Sequence, residues 1–517
     1  MAAIPNDEQP WKPLQGSALV LLTIAVAFST FMEVLDMTIV NVSVPHIAGS
    51  LGVSPSEGTW TISSYALASA IMQPLTGWLA RRFGEVRTFI TSVGLFVVFS
   101  MLCGMATSMP MLVVFRLLQG AGSGPMVALS LSLLLASYPK AKQGMALALW
   151  AMTVVVAPIF GPILGGWLTD NLSWPWIFYI NVPVGALAAF ITWALLRKRE
   201  TKTHKAPIDV IGLALLVVGV GSLQFMLDNG NDNDWFSSPM ILTLGLIALV
   251  CLTFLIVWEL LAKHPVVDLS LFKRRNFTVA VIALSLGMMA FFGINVIFPL
   301  WLQTTLGYTA TWAGLASAPV GILAFLMAPV IGANIQRLEL RAVVTFAFLI
   351  FAGTSFWFAS FDSSASFSTL ILPRFVMGIG IACFFIPLNQ MYLSGLPANQ
   401  IASASGLANF CRTLGSSIST AATVTLWQHR GEYHHAVLTE NITPAAPAAT
   451  SFLQQLKQAG FSPTEQLGLI NQLISREALT LAVNDVYMVC AVLFLALIPL
   501  LWFARPPFGN TDGAVGH

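Results

Sequence analysis

Charge is what this chain has least of. Only 9% of its 517 residues are Asp, Glu, Lys or Arg, while 56% are hydrophobic and the mean hydropathy is +0.80. A soluble domain carries roughly 25% charged residues, so this composition has too little polar surface to face water. The apolar character persists along nearly the whole chain, which excludes a large soluble catalytic domain. Cysteine is also scarce. Cys103, Cys251, Cys383, Cys411 and Cys490 all fall in apolar runs, with no CxxC and no Cys/His cluster, so neither a disulfide framework nor a metal site is implied. There is no GxxxxGK[ST], which removes ATP as an energy source, and no HExxH or nucleophile triad. The histidines at 46, 204, 264, 429, 434, 435 and 517 fall in connections, at span edges or in the tail. An integral membrane protein that is not an enzyme, needs no cofactor and contacts no nucleic acid remains.

What is present is a succession of apolar runs. A helix needs about 20 apolar residues to cross a bilayer, and fourteen runs meet that length. Six cover 17–44, 57–78, 86–106, 111–136, 143–167 and 175–196. Two cover 208–228 and 237–259. Six more cover 276–302, 311–335, 342–360, 367–394, 399–427 and 485–503. The start, Met1 to Gly16, is polar and mixed in charge, unlike the basic leader of a signal peptide, so the first run reads as a retained span. Lys and Arg fall on alternate connections, among them Arg81, Arg82, Arg87, Arg197, Lys198, Arg274, Arg275, Arg337 and Arg341, and the opposite short connections carry none. That asymmetry predicts cytoplasmic N- and C-termini.

The sequence also repeats weakly. Leu112-Val113-Val114-Phe115-Arg116-Leu117-Leu118-Gln119-Gly120-Ala121-Gly122 resembles Leu370-Ile371-Leu372-Pro373-Arg374-Phe375-Val376-Met377-Gly378-Ile379-Gly380, with one Arg and two Gly each displaced by 258 positions. Parallel repeats of this kind mark transporters built from two six-helix halves. The predicted divisions are an N-terminal bundle over 1–200, an inserted hairpin over 201–272 and a C-terminal bundle over 273–517. The last includes a polar external segment, 428–484, with short helices expected near 450–458 and 463–477. That segment is read either as a variable surface loop or as a docking surface.

Only a few ionisable residues lie deep inside the runs: Glu33, Asp36, Arg116, Arg374 and Arg412, with Asp228 at a helix end. Charge at bilayer depth is costly and marks a pathway or an ion pair. Glu33 and Asp36 are three residues apart and share a helix face. Arg116, near the external start of its run, has a compatible depth, so either Asp36–Arg116 or Glu33–Arg116 is a possible pair. Such a pair either fixes helices together or responds to protons. In the second case, opening the cavity to one side changes the balance between desolvation, which favours a neutral carboxyl, and the arginine, which favours a charged one. Asn41, Gln119, Asn295, Asn389, Asn409 and Arg412 are the expected polar groups of an otherwise aromatic, aliphatic and Met-rich cavity. Pro158, Gly161, Pro162, Gly165 and Gly166 predict a kinked, close-packed end to the fifth run, which reads as packing alone or as a hinge or seal. Gly77, Arg81, Arg82 and Gly84 form a short cytoplasmic turn, a membrane anchor or a charged latch.

These motifs together resemble the major facilitator superfamily, and within it the fourteen-span drug:proton antiporters of the EmrB type. Leu35-Asp36-Met37-Thr38-Ile39-Val40-Asn41-Val42-Ser43-Val44-Pro45 is similar to the first-helix motif of that group. Arg116-Leu117-Leu118-Gln119-Gly120 is similar to its fourth-helix motif, Gly161-Pro162-Ile163-Leu164-Gly165-Gly166 to its antiporter motif, and Trp174-Pro175-Trp176-Ile177-Phe178-Tyr179-Ile180-Asn181-Val182-Pro183-Val184-Gly185 to its sixth-helix signature. Arg81 stands where many members have an aspartate, and Glu85 where many have a basic residue, so the usual aspartate-centred latch is not implied. The resemblance implies an all-α fold of two six-helix bundles plus two inserted helices. It also implies proton coupling through Asp36, Glu33 and Arg116, and export of hydrophobic or amphipathic drugs and uncouplers from a bacterial inner membrane. It further implies a periplasmic adaptor of the EmrA type and an outer-membrane channel of the TolC type as partners. A proton-coupled importer is the rival within the class. A non-transporting scaffold is the rival outside it, though a scaffold has no use for ionisable groups at depth.

Overall fold

In the computed structural model, residues 13–40, 43–53, 55–58, 60–139, 142–204, 207–262, 265–440, 442 and 447–508 are described. Among them the chain is helical, with no strand. The first half runs α1 (Gly16–Ile39), α2 (Val44–Leu51), α3 (Pro55–Gly58), α4 (Trp60–Phe83), α5 (Glu85–Gly104), α6 (Met109–Ser137), α7 (Gln143–Asn171), α8 (Trp176–Tyr179) and α9 (Asn181–Leu196). A pair follows, α10 (Val210–Asn229) and α11 (Pro239–Leu261). The second half runs α12 (Arg275–Thr304), α13 (Ala310–Ser317), α14 (Pro319–Asn334), α15 (Leu340–Phe358), α16 (Phe367–Leu393), α17 (Ala398–Glu440), α18 (Pro447–Gln458) and α19 (Pro463–Leu501).

Eleven helical segments among the described residues are long and apolar enough to cross a membrane, with α8–α9 and α13–α14 each counting as one. The helices α4, α7 and α17 have 24, 29 and 43 residues, but are not among the eleven. Helix is the form a span must take, because the bilayer offers no partner for a free N–H or C=O. The ends are set by local chemistry. The Asp209 carboxylate accepts from Gly212 N at 3.0 Å to start α10, and Ser462 and Glu465 form a reciprocal capping box at the start of α19. The first run was expected to reach residue 44, but α1 stops at Ile39, and Pro45 then sits in the first turn of α2.

The segment 428–484 is mostly not loop. Helix α17 continues to Glu440 and α19 begins at Pro463, so both run well past the apolar stretches that predicted spans ending at 427 and starting at 485. The helices expected near 450–458 and 463–477 are present, as α18 and as the first turns of α19. Arg430 and His434 of α17 bind the Asp485 carboxylate at 2.6 and 2.7 Å, and His435 meets Asn471 at 3.0 Å. These polar rungs tie α17 to α19 where hydropathy gave no signal. No group of three or more His, Cys, Asp or Glu able to hold a metal occurs among the described residues.

In the first half α6 packs on α4 and α5, and α1 on α7 and α9. In the second half α12 and α19 pack on α17, and α16 on α14 and α15. The halves meet through α4 with α17 and α7 with α14. Small residues permit that meeting. A Cβ on Gly77 would lie 2.6 Å from the Ser403 side chain, one on Gly406 2.5 Å from Gln73 O, and one on Gly332 2.6 Å from Gly144 O. Gly77, Gly144, Gly332 and Ser403 all lie toward the end of the molecule that carries Arg81, Arg82, Arg274 and Arg275, and there the halves are in contact.

Candidate functional site

The site assembles where α1, α6 and α9 converge. Asp36 and Arg116 are 0% and 1% exposed, and Arg116 Nη1 donates to Asp36 Oδ2 at 2.5 Å. Of the two possible partners for Arg116, the geometry thus brings in Asp36. Two neutral donors complete the carboxylate's shell on Oδ1: Asn181 Nδ2 at 2.8 Å and Gln119 Nε2 at 3.2 Å. Arg116 donates through Nε to Thr61 O at 2.9 Å, and the same Nη1 that meets Asp36 also donates to Gln119 Oε1 at 2.8 Å. Its guanidinium lies 4.2 Å from the Tyr65 ring centroid and 5.5 Å from that of Phe178. Charge-assisted bonds of this kind are about twice as strong as neutral ones. Breaking a buried pair by deleting one partner costs about 3–5 kcal/mol, because the remaining charge is uncompensated.

Glycine brings α6 close enough. A Cβ on Gly120 would run into the backbone carbonyl of Tyr65, and one on Gly124 would lie 2.5 Å from Met72 Cβ. With α6 laid against α4 in this way, Arg116 reaches both Thr61 and α1.

Glu33 is placed differently. It is 2% exposed, and its Oε2 has no hydrogen-bond partner among the described residues. The charged groups that act on it are Arg412, on α17 in the second half, and Asp36. Arg412 in turn feels Glu33 and Tyr392. The two carboxylates of α1 are therefore divided: Asp36 is locked within the first half, while Glu33 looks across to the second.

The remaining predicted residues separate into groups. Gln119 belongs to the Asp36 cluster. Asn295 donates to Phe291 O at 2.7 Å and accepts from Arg374 Nη1 at 3.0 Å. Asn389 donates to Phe385 O and accepts from the Tyr392 hydroxyl at 2.7 Å. Asn409 is 5% exposed and its Nδ2 is without a partner among the described residues. Asn41 lies outside the described residues. A small apolar void sits between the halves, lined by Ala151, Met152, Ala324, Ala328, Ile381 and Phe385.

In the antiporter-like stretch of α7, Gly161 packs on Thr38 of α1 so closely that a Cβ would collide with the Thr38 side chain, whereas Gly166 has open space around it. Gly165 is buried. The helix runs continuously through Pro158 and Pro162, whose side chains lie outside the described set. At the turn before α5, Gly84 has φ +93°, a conformation L side chains rarely adopt. The Glu200 carboxylate occupies the space a Cβ would need and accepts from Val86 N at 3.0 Å and Arg87 N at 2.9 Å. It thereby caps the α5 N-terminus, where an anion is favoured. Glu85 turns inward, 7% exposed, and accepts from Ser132 Oγ at 2.8 Å. Arg82 lies 5.8 Å from the Trp78 ring centroid, and Arg81 lines a surface cleft with Trp78, Glu259 and Lys273.

Asn181 belongs to the sixth-helix motif, and only the structure shows it on Asp36. Its signal was an Asn at the start of an apolar run, where a polar side chain needs a partner.

Comparison with known proteins gives the family. Residues 26–420 match the model of the Major Facilitator Superfamily. The chain is 50% identical over 506 residues to "Multidrug export protein EmrB" of Haemophilus influenzae, covering 98% of this chain and 99% of that protein. It is 50% identical over 509 residues to the protein of the same name from Escherichia coli K12, with the same coverage. To "Fatty acid resistance protein FarB" of Neisseria gonorrhoeae it is 49% identical over 507 residues, 98% of this chain and 100% of that one. Among solved structures, the human organic anion transporter MFSD10 (TETRAN) superposes with a TM-score of 0.60 at 13% identity, covering 94% of this chain and 100% of that one, a likeness of fold. A carboxylate and an arginine held together inside a polytopic helical fold, within a chain half identical to these exporters end to end, place the protein in the major facilitator superfamily, in the EmrB family of multidrug exporters.

Proposed function

We propose that the Asp36–Arg116 pair, with Gln119 and Asn181 around it, is the proton-linked element of this transporter. The protein is a proton-driven multidrug efflux antiporter of the bacterial inner membrane, a secondary active transporter and not an enzyme. The observation that carries the site reading is the shell of Asp36: a fully buried carboxylate with one cation and two neutral donors, in a fold whose halves must rock past each other. Protonation of Asp36 frees Arg116 from its counter-ion and loosens α1 from α6. Deprotonation restores the clamp. Glu33, which feels the charge of Arg412 in the other half, is the second carboxylate of the cycle.

Counting α4, α7 and α17 with the eleven apolar segments gives fourteen spans, an even number that fits two cytoplasmic termini. It also fits two six-helix bundles over 1–200 and 273–517, with the α10–α11 hairpin inserted over 201–272. The cargo passes between the bundles, past Asn389, Asn409 and Arg412, in a largely apolar wall. Weakly discriminating surfaces of that kind suit varied cargo, and the fatty acid resistance of a relative extends the class to amphipathic acids. Outside the membrane, the helices projecting from 428 to 484 are the surface for an EmrA-type adaptor leading to a TolC-type channel. Deleting α18 is expected to impair export in cells while leaving transport in proteoliposomes intact. Loss of both would remove the docking role.

The test of the main reading is drug-induced proton release from proteoliposomes with wild-type protein and Asp36→Asn. The variant should bind drug and release no protons. Coupled transport surviving in Asp36→Asn would overturn the assignment.

A further inference from the structure

The sequence repeat that pairs Arg116 with Arg374 extends to their surroundings. Gly120 lies against the Tyr65 carbonyl, and Gly378, 258 positions on, lies against the Val320 carbonyl. Gly122 lies against the backbone at Phe96, and Gly380 against the ring of Phe351. Arg374 is 0% exposed and lies 3.9 Å from the Phe298 centroid and 5.6 Å from that of Phe358, as Arg116 lies over Tyr65 and Phe178. The residue that meets Arg374 is Asn295, through the 3.0 Å bond from Nη1. Asn295 stands 259 positions after Asp36 on the matching helix, one residue off the 258 register of the repeat. The two halves thus carry the same arginine clamp, one closed on an aspartate and the other on its unionisable isostere.

The rest of the shell differs in the same sense. Gln119, which donates to Asp36, has Met377 as its repeat mate, and Met377 is fully buried and has nothing to donate. Tyr487 of α19 approaches Arg374, stacking on Phe358 at 5.0 Å, but its hydroxyl is without a partner, as are Nε and Nη2 of Arg374, among the described residues. No acidic residue pairs with Arg374 among the described residues. The buried cation is retained under aromatic rings, with no group beside it that can gain or lose a proton at ordinary pH.

We infer that the second half holds a proton-silent copy of the coupling site, and that Asn295 is the residue that keeps it silent. Proton linkage through an arginine clamp is then confined to the first half. One half exchanges its counter-ion while the other holds a fixed charge state, so the cycle carries a single clamp-linked proton event. This inference rests on the reading of Asp36 as the proton-linked group.

The test compares proton-to-drug ratios, taken from reversal potentials in proteoliposomes, for wild type, Arg374→Met, Asn295→Asp, Asn295→Leu and Asp36→Asn, each checked for monodispersity and thermal melting. Arg374→Met removes a buried cation that has no counter-ion among the described residues and leaves Asn295 Oδ1 without its donor, which is why folding is checked alongside the ratio. Its ratio should equal that of wild type. Asn295→Asp gives Arg374 a carboxylate at its existing contact and should raise the ratio and the melting temperature, while Asn295→Leu leaves the ratio unchanged. A changed ratio in Arg374→Met, or an identical ratio in Asn295→Asp and Asn295→Leu, overturns the inference. Asp36→Asn keeps the two readings apart: if it leaves coupling intact, the Asp36 assignment fails first. If it abolishes coupling while Arg374→Met also changes the ratio, only the silent copy fails.

Discussion

At the residue scale the decisive quantity is the number of donors on one buried carboxylate. Asp36 is fully buried and takes bonds from Arg116, Gln119 and Asn181. Each hydrogen bond to a charged group contributes about 1.5–3 kcal/mol when it is lost from a buried site. Asn181→Leu removes one donor from Asp36 and one from Ser100, to which Asn181 Nδ2 also donates at 3.1 Å. We expect it to lower the melting temperature by an amount equivalent to about 1.5–3 kcal/mol and to weaken drug-induced proton release, while Asn181→Gln retains part of both. Normal proton release in Asn181→Leu would reduce Asn181 to a packing role. Arg116→Lys keeps the charge but loses the planar fork that serves Asp36, Thr61 and Gln119 together, so it should behave far more like a loss than a conservative change. Its readout is the same proton flux.

At the scale of elements, glycines decide which helices can touch. Gly120 lies directly on the Tyr65 carbonyl, and backbone cannot move aside as a flexible side chain does. Gly120→Ala should therefore cost about 1–3 kcal/mol through overpacking and displace Arg116 from Asp36, lowering both melting temperature and transport. Gly166→Ala, where a Cβ meets nothing within 4 Å, should be nearly silent in both assays. The turn before α5 follows another rule. Gly84 combines φ +93° with contact to Glu200, so Gly84→Ala is strained in the backbone and also evicts the carboxylate that caps α5. Glu200→Gln keeps the shape and loses the charge, and should show the smaller drop in melting temperature. Equal drops would place the whole effect in the cap.

At the scale of the molecule, the halves touch at the end marked by Arg81, Arg82, Arg274 and Arg275. Thr413 Oγ1 donates to Gln73 Oε1 at 3.1 Å across the boundary. In a cysteine-free background, Gln73→Cys with Thr413→Cys should be joined by a short bifunctional thiol reagent and transport should stop, returning when a reducible linker is cleaved. Transport that continues while the link is intact would mean that this contact does not separate during the cycle. Glu33 and Arg412, on α1 and α17, belong to different halves and act on each other across the same boundary.

The sequence by itself determined the class and much of the fold. Scarce charge and long apolar runs require membrane helices, because a bilayer tolerates little else, and alternate Lys/Arg connections set the expected orientation. The repeat of Arg, Gly and Gly was legible, and so were Asp36 and Arg116, since isolated charges stand out against lipid-soluble surroundings. The sequence left open which carboxylate the arginine takes. It did not reveal that Asn181 completes the shell, that Glu200 caps α5, or that α17 and α19 extend as helices well beyond their apolar stretches. Those facts depend on contacts between residues far apart in the chain, where hydropathy and spacing carry no information. Tertiary structure alone decided that Asp36, and not Glu33, closes on Arg116, and that its mate in the second half closes on Asn295. The physical reason is the direction each side chain takes from its helix once glycine has let the neighbouring helix approach.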